Sequence, residues 1–397
     1  MDFIPMVIAV LFWVCLGLVF YTYAGYPVLA SLLARCFGRG NKPLEDDPDY
    51  LPTISLLIAA YNEESVLETR LLNALATDYP ADKREIVVAS DGSTDGTADI
   101  VRKYADQGVR LIDYKCRRGK ASVLNAAFGE LNGEIIVLSD ANTYTEPKAY
   151  RKLVRWFRDP KLGVVCGRLV LTDVHTGHNV DSLYWRYETF IKRSEGRLGA
   201  LLGANGAIYA IRRDVYTPIP NDVLIDDLVI PLLARLRTGC AITYDADAVA
   251  HEETAPDFGH EFRRRSRIGA GGFQSMGLLW RLLDPRQGWV ALTFFSHKIL
   301  RWLGPFFLIG MVATNLFLLD WTIFRWLMAG QVGFYFLSTL GAYVPSQLKP
   351  LKPLRLFTMF TGMNVALLLG FWRWLSGSQN AAWQRTARLA EVNGTVQ

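Results

Sequence analysis

The chain has 397 residues, of which 51% are hydrophobic and 20% are charged, and its formal net charge is +5. This length allows a soluble domain of a few hundred residues together with membrane segments. The mild basic charge is scattered or lies beside apolar runs, which favours a lipid surface and argues against a nucleic-acid partner. The five cysteines show no paired spacing. Neither a disulfide framework nor a zinc site is therefore expected, and a reducing cytosol suits the soluble part.

Residues 3–34 contain no charged side chain. This run is longer than the ~20 residues that a bilayer core requires, and it lacks the basic start and the cleavage site of a signal peptide. Residues 1–35 are therefore predicted to be a retained transmembrane anchor, and residues 36–52 a polar linker. Arg35, Arg39 and Lys42 close the apolar run, so the positive-inside rule places the next domain in the cytoplasm.

Residues 53–255 alternate short apolar runs with helical patterns. Strands are expected at 53–60, 85–89, 109–112 and 134–138, and helices at 65–77, 97–105 and 120–131. This succession predicts an α/β fold, with a Rossmann-like, mostly parallel sheet and helices on both of its faces. Ligands of such sheets bind in the crevice beyond the carboxyl ends of the strands.

Polar side chains stand at three of these strand ends, namely Asn62 with Glu63, Asp91 and Asp140. No GxGxxG or GxxxxGK[ST] loop is present to wrap a phosphate group. A bound nucleotide would therefore need its diphosphate neutralised by a divalent ion. Asp140 and Asn142 have a suitable i, i+2 spacing for such a metal. Lys120 is either a helper of this site or a solvated helix start.

Two adjacent carboxylates, Asp226 and Asp227, precede an amphipathic helical pattern over residues 228–236. One carboxylate at a helix start is explained by capping and by the helix dipole. A second carboxylate beside the first requires another explanation. Together with the three acidic strand ends, the pair favours Asp227 as a general base for an acceptor hydroxyl.

The C-terminal third is mostly apolar. Residues 256–301 are predicted to form interfacial amphipathic helices, residues 302–376 transmembrane helices, and residues 377–397 a polar tail. The candidate spans lie near 302–319, 326–344 and 356–375. The arginine run that contains Arg264 and Arg267 is either a solvated or lipid-facing surface or a site for a diphosphate. Four crossings would leave the tail outside, whereas its arginines favour the cytoplasm.

In this order the motifs resemble those of the membrane-integrated family 2 glycosyltransferases, the group that contains cellulose, hyaluronan and poly-N-acetylglucosamine synthases. The resemblance covers about residues 50–300. It implies a cytoplasmic GT-A domain on a bacterial plasma membrane that transfers a hexose from a UDP-sugar, with inversion and with Mg²⁺ or Mn²⁺. It also implies a glycan or lipid-linked acceptor, and it leaves room for export or synthase-complex partners.

The same resemblance assigns roles to residues of this chain. Nucleotide binding falls to Asn62, Glu63, Asp91, Lys120, Asp140, Arg264 and Arg267. Asp140 and Asn142 match the family's DxD metal motif, and residues 203–207 match the segment that lines the acceptor end. Asp226 and Asp227 match the end of the Thr-Glu-Asp motif, which makes Asp227 the base.

Three departures from the family pattern are present. Asn142 stands where DxD has its second aspartate, so the metal ligand is neutral. Ile225 and Asp226 replace threonine and glutamate. The QxxRW motif reads Arg264-Arg-Ser-Arg267-Ile268, which keeps the arginine but lacks the glutamine and the tryptophan. The missing tryptophan puts processive polymerisation in doubt more than sugar transfer.

Two enzymatic hypotheses therefore compete, repeated extension of an exopolysaccharide and addition of one sugar to a lipid-linked or membrane acceptor. A third is a catalytically silent nucleotide-sugar sensor, which the retention of Asp140, Asp227 and Arg267 disfavours. A transporter is disfavoured because the apolar spans carry few ionisable residues.

Overall fold

A computed structural model of the chain describes residues 3–38, 47, 49–172, 183–253, 258–344 and 353–379. These residues fall into two compact units. The first, here called the helical unit, contains residues up to Leu29, Glu261–Met276 and Phe294–Gln379. The second, here called the sheet unit, contains Ala30–His260 and Gly277–Thr293. The domain boundaries expected from the sequence stay predictions.

An eight-stranded mixed sheet forms the centre of the sheet unit. Its strands are β1 (Ile54–Ala60), β2 (Arg84–Asp91), β3 (Val109–Tyr114), β4 (Ile135–Asp140), β5 (Thr143–Thr145), β6 (Leu162–Thr172), β7 (Tyr209–Arg212) and β8 (Ala241–Glu253). Their order across the sheet is β3-β2-β1-β4-β7-β6-β8-β5. The first four run parallel to one another, while β7 runs antiparallel to both of its neighbours. The predicted α/β fold is confirmed. The half of the sheet that contains β5 to β8 combines parallel and antiparallel pairs.

The helices are α1 (Phe3–Phe20), α2 (Tyr26–Cys36), α3 (Glu64–Leu75), α4 (Thr97–Arg102), α5 (Lys120–Phe128), α6 (Ala149–Val154), α7 (Leu183–Arg197), α8 (Asp226–Thr238), α9 (Phe258–Leu279), α10 (Trp289–Thr293), α11 (Leu300–Leu316), α12 (Thr322–Ala342) and α13 (Leu354–Leu375). Every residue of β1 is buried. Strands covered on both faces read as continuous apolar runs, which is why the four N-terminal strands were recognisable from the sequence. Their shared edge, at the carboxyl ends, carries the polar residues discussed below.

The helical unit is held by aromatic and polar contacts between its helices. The ring of Phe12 meets that of Phe324 edge-on, with centroids 5.2 Å apart. The hydroxyl of Tyr23 donates to Oδ1 of Asn364 over 3.1 Å, which joins α13 to the segment between α1 and α2. A buried cluster of Ala9, Phe12, Met311, Leu318 and Phe324 forms its core.

Three helical runs among the described residues are long and apolar enough to cross a membrane. They are Phe3–Cys36, Trp289–Leu316 and Leu354–Leu375. Helix α12 spans 21 residues, but Arg325 and Gln331 make it less apolar, and it does not join this group. The run that starts at Trp289 includes part of the segment expected at the interface. How many helices cross stays a prediction.

Candidate active site

The carboxyl ends of β1, β2 and β4 lie side by side in the sheet. Ala59 is in register with Asp140 on one side, and Ala60 is in register with Ser90 on the other. The acidic motifs that follow these strands are therefore brought to one edge, as the parallel order predicts. This edge is the starting point of the candidate site.

Asn62 joins the loop after β1 to the loop after β2. Its backbone adopts a left-handed conformation, with φ of 54°. Its Oδ1 accepts the backbone N–H of Thr94 over 2.8 Å, and its own N–H donates to Oγ of Ser93 over 3.1 Å. Glu63, which is buried, donates its N–H to Oγ1 of Thr97 over 2.8 Å. Both residues shape the rim of the site, and their contact with a nucleotide stays a prediction.

Asp91, at the end of β2, is fully buried. Its two carboxylate oxygens accept the backbone N–H groups of Arg118 and Gly119, over 2.6 and 2.9 Å. Gly119 has a φ of 86°, which favours glycine. Asp91 therefore fixes the loop that leads into α5, a role that the sequence did not indicate. Its role in nucleotide binding stays a prediction.

Lys120, the first residue of α5, joins the edge of the sheet to α8. Its Nζ lies 2.8 Å from Oδ1 of Asp140 and 3.3 Å from Oδ2 of Asp226. Burial alone would lower the pKa of Lys120, but the charges of Asp140, Asp226 and Asp227 outweigh it and raise that pKa. The lysine is therefore a fixed cation within an acidic cluster. The alternative of a solvated helix start does not describe it.

Asp226 and Asp227 are the first two residues of α8, and the N-cap position is taken by Ile225, which makes no side-chain capping bond. Capping therefore does not account for the pair. Oδ2 of Asp227 accepts the backbone N–H of Gly206 over 3.1 Å. The helix dipole stabilises both carboxylates at this end.

Pro231 explains why the 203–206 loop lies against α8. A proline inside a helix has no N–H to donate to the carbonyl four residues before it, and here that carbonyl belongs to Asp227. It instead accepts the backbone N–H of Ala204 over 2.8 Å. Gly203, with a φ of 81°, passes so close that a Cβ would lie 3.0 Å from Cα of Leu228. The loop is thereby placed beside the Asp227 carboxylate.

The pKa of Asp227 is raised above the ordinary range of an aspartate. Burial is the main cause, and the neighbouring charge of Asp226 adds to it, while Lys120 and Lys192 act in the opposite direction. Three carboxylates, those of Asp140, Asp226 and Asp227, share this region with Lys120. A raised pKa brings a carboxylate closer to the value that suits a general base at neutral pH.

Comparison with known proteins identifies the domain that contains this cluster. The glycosyl transferase family 2 model matches residues 55–217. The chain carries a glycosyl transferase family 2 domain. It is 28% identical over 247 residues to poly-beta-1,6-N-acetyl-D-glucosamine synthase of Staphylococcus aureus (strain COL), a match that covers 59% of this chain and 58% of that protein. The chain thus matches less than two thirds of that relative's length.

A second relative agrees with this assignment, and a solved structure has the same fold. The synthase of the same description from Staphylococcus epidermidis is 26% identical over 234 residues, which is 56% of this chain and 55% of that protein. The structure of the mannosyltransferase PcManGT from Pyrobaculum calidifontis, in complex with GDP-Man and Mn²⁺, superposes with a TM-score of 0.69. It is 23% identical to this chain, and the match covers 93% of this chain and 100% of that one. This likeness shows that the two chains share a fold.

Asp140 and Asn142 are the metal-binding candidates of this glycosyltransferase domain. The Nδ2 of Asn142 donates to Oε1 of Glu252 over 3.2 Å, so the amide oxygen is the candidate metal ligand of this side chain. Among the described residues, no group of three or more His, Cys, Asp or Glu side chains is arranged to hold a metal ion. One carboxylate and one amide oxygen nevertheless fit a Mg²⁺ or Mn²⁺ ion whose remaining ligands are nucleotide phosphates and waters.

Two contacts of the site were not predicted from the sequence. Gly206 supplies the N–H that Asp227 accepts, and a Cβ there would lie 2.8 Å from Oδ2 of Asp140. Glu252 reaches Asn142 from β8, 110 residues away. The glycine belongs to a motif that the resemblance assigned to the acceptor end, whereas Glu252 had no local signal.

Arg264 and Arg267 belong to the part of α9 that lies in the helical unit. Glu261, three residues before Arg264, accepts from Nε of Arg265 over 2.7 Å and lies 3.9 Å from Nη1 of Arg264. Their predicted contact with the leaving diphosphate stays a prediction.

Proposed function

We propose that the protein is an inverting glycosyltransferase that moves a hexose from a UDP-sugar, such as UDP-glucose or UDP-N-acetylglucosamine, to a growing exopolysaccharide or cell-surface glycan. The observation that carries this proposal is the Asp227 carboxylate. It is half-buried beside the buried Asp226, accepts the N–H of Gly206 and has a raised pKa. The family 2 domain and the match to poly-N-acetylglucosamine synthases favour this donor class and this acceptor class.

In the proposed reaction Asp227 takes the proton of an acceptor hydroxyl as that oxygen attacks the anomeric carbon of the donor. The bond between the anomeric carbon and the diphosphate breaks in the same step, and its electron pair leaves with the nucleoside diphosphate. Attack from the face opposite the leaving group inverts the configuration, and the transition state has oxocarbenium character. Because one carboxylate suffices for this displacement, no covalent sugar–enzyme intermediate is required.

The other residues of the cluster position the donor. Lys120 supplies a fixed positive charge beside Asp140, at the edge where the diphosphate would lie, and Arg267 is proposed to stabilise the departing diphosphate. Asn62, Glu63 and Asp91 are proposed to shape the nucleoside pocket. A divalent ion bound by Asp140 and Asn142 would supply charge neutralisation on the diphosphate.

We further propose that the reaction takes place at the cytoplasmic face of the bacterial plasma membrane. Three helical runs suited to crossing a membrane support an integral location, and Arg35 at the end of the first one supports a cytoplasmic sheet unit. The domain arrangement expected from the sequence, with an anchor before the GT-A domain and membrane helices after it, agrees with this proposal.

Transfer of a single sugar to a lipid-linked or membrane acceptor is the second candidate. The observation that favours it is the altered QxxRW motif, Arg264-Arg-Ser-Arg267-Ile268, which lacks the aromatic residue expected to cover an acceptor sugar. An enzyme that adds one unit has less need of that surface than one that retains a growing polymer.

One assay separates these readings. The full chain, purified in detergent, is incubated with radiolabelled UDP-glucose, UDP-N-acetylglucosamine or GDP-mannose, with Mg²⁺ or Mn²⁺ and membrane lipids, and the product is sized. Long polymer supports the synthase, and a labelled lipid supports single transfer. Donor binding without turnover in every combination would contradict the enzymatic proposal and favour a sensor. Turnover with GDP-mannose but with neither UDP-sugar would contradict the proposed UDP-sugar donor.

A further inference from the structure

A cavity of the sheet unit is separate from the carboxylate cluster. Its volume is about 420 Å³, and it is lined by the end of α2, one face of α7 and the turn at residues 243–247 of β8. None of the residues assigned to the candidate active site lines it. Its basic members are Arg35, Arg193 and Arg197.

The geometry of α7 explains how two of these arginines reach one cavity. Phe190, Arg193, Ser194 and Arg197 follow the i, i+3, i+4, i+7 spacing that places side chains on one helix face. Ser194 is buried and donates to the carbonyl of Phe190, so the centre of this helix face is buried. The two arginines flank that point and are solvent-exposed.

The positive charge of the cavity is not cancelled by its acidic residues. Asp245 is buried, and its Oδ2 lies 2.8 Å from Nη2 of Arg155 and 2.7 Å from Nε1 of Trp156. Asp247 lies 3.5 Å from the same guanidinium. Arg155 therefore balances one of the two carboxylates, and the three lining arginines outnumber the other.

The three lining arginines are left without such partners. Among the residues that the structure describes, Arg35, Arg193 and Arg197 make neither a salt bridge nor a side-chain hydrogen bond. A planar guanidinium is well suited to a phosphate group, which it binds through two parallel N–H donors. Three of them lining one cavity are an electrostatic site for an anion.

The position of Arg35 identifies the source of that anion. It is the second-last residue of Phe3–Cys36, the most apolar of the three candidate membrane helices. As the first charged side chain after the apolar run, it would lie at the headgroup layer if that helix crosses a membrane. Phe190, whose exposed fraction is 46%, adds an apolar surface to the same cavity. Basic pockets at this level of a membrane protein bind lipid headgroups.

We propose that this cavity binds the phosphate of an anionic phospholipid headgroup, with Arg35, Arg193 and Arg197 as its ligands. The site would hold the sheet unit at the membrane surface and make lipid charge a requirement for that attachment. The inference depends on the membrane location of Phe3–Cys36 and not on the sugar-transfer chemistry.

The test measures lipid retention by the full chain purified in detergent, using native mass spectrometry. Dioleoyl phosphatidylglycerol is titrated against the protein, with dioleoyl phosphatidylcholine as the zwitterionic comparison. The variants are Arg193→Gln and Arg197→Gln, singly and together, and the matched control is Arg237→Gln. Arg237 is exposed on α8 and does not line the cavity. A thermal unfolding curve for each variant checks that it is folded.

We expect phosphatidylglycerol to be retained in preference to phosphatidylcholine. Each single cavity variant should raise the apparent Kd for phosphatidylglycerol about fivefold, and the double variant should raise it about 25-fold. The control should raise it by less than about twofold. Equal retention of the two lipids, or a loss no larger than that of Arg237→Gln, would overturn the proposal. Displacement of the lipid by millimolar inorganic phosphate would show a general phosphate site and would overturn the assignment to a headgroup.

Discussion

The ammonium group of Lys120 lies 2.8 Å from Oδ1 of Asp140, so the first residue of α5 is joined directly to the carboxyl end of β4. The same group lies 3.3 Å from Asp226, at the start of α8. One cation thus joins α5 and β4, which are consecutive in the chain, to the much later α8. It also decreases the repulsion that the nearby Asp227 carboxylate experiences.

Replacing Lys120 with methionine should move the acidic limb of the activity profile to higher pH. Lys120 lowers the pKa of Asp227, so its loss raises that pKa further, and a higher pH is then needed to keep the base ionised. Removal of a nearby opposite charge disfavours the ionised form of a carboxylate, which raises its pKa. The measurement is kcat/KM against pH.

Lys115→Met is the matched control for this variant, because Lys115 makes a surface ion pair with Asp113 in the same region of the chain. Its profile should coincide with that of the wild type. An unshifted acidic limb in Lys120→Met would show that the lysine does not act on the base.

Gly206→Ala should impair donor use. The added Cβ would lie 2.8 Å from Oδ2 of Asp140, so either the loop or the carboxylate must move, at a cost of about 1–3 kcal/mol. Moving the loop also displaces the N–H that Asp227 accepts. A rise in the donor KM together with a fall in kcat is expected from steady-state kinetics. Gly129→Ala, whose Cβ meets nothing closer than 3.7 Å, should behave like the wild type.

Asp227→Asn should stabilise the protein above the raised pKa of this group. Below the ordinary pKa of an aspartate, the carboxyl is protonated in both the folded and the unfolded state, and the variant gains nothing. As the pH rises through the raised folded-state pKa, the wild type must bury an ionised carboxylate, whereas asparagine stays neutral. The difference in Tm should therefore increase with pH and then level off.

Asp226→Asn provides the contrast, because it removes one partner of the Lys120 ion pair. It should lower the stability by roughly 1–3 kcal/mol at neutral pH. If both variants changed Tm in the same direction at pH 8, the two aspartates would not have the different environments described above.

Asn142→Asp should decrease the Mn²⁺ concentration needed for half-maximal activity, on the order of tenfold, because a carboxylate replaces a neutral ligand. Without metal, the new charge faces Glu252 and should lower the Tm. Asn132→Asp is the matched control, since Asn132 likewise donates to a glutamate, Glu85, over 3.1 Å. Its metal dependence should equal that of the wild type, and an equal shift in both variants would remove Asn142 from the metal site.

The sequence predicted the parallel half of the sheet because strands such as β1 are buried on both faces and read as uninterrupted apolar runs. It also predicted the acidic edge, because parallel strands bring their carboxyl ends together. It did not predict β6 and β8, which pair with each other across about 80 residues of chain, nor the contact of Glu252 with Asn142. Such partners are chosen by tertiary packing, and no local pattern encodes them.

The contact that replaces the missing N–H of Pro231 was not predicted from the sequence, for a related reason. A proline within a helical pattern indicates that one carbonyl loses its donor, but the sequence does not say which group replaces it. Here the replacement is the N–H of Ala204, and the choice determines where the loop that contains Gly206 lies. The site therefore depends on a backbone contact between two motifs that were recognised separately.

The most direct test of the account is the activity of Asp227→Asn, measured together with its affinity for the UDP-sugar. An isosteric amide keeps the shape and can still accept the N–H of Gly206, but it cannot take a proton. We expect donor binding within about threefold of the wild type and a kcat lowered about 10²–10⁴-fold. Turnover at the wild-type rate, with donor binding intact, would contradict the assignment of Asp227 as the base.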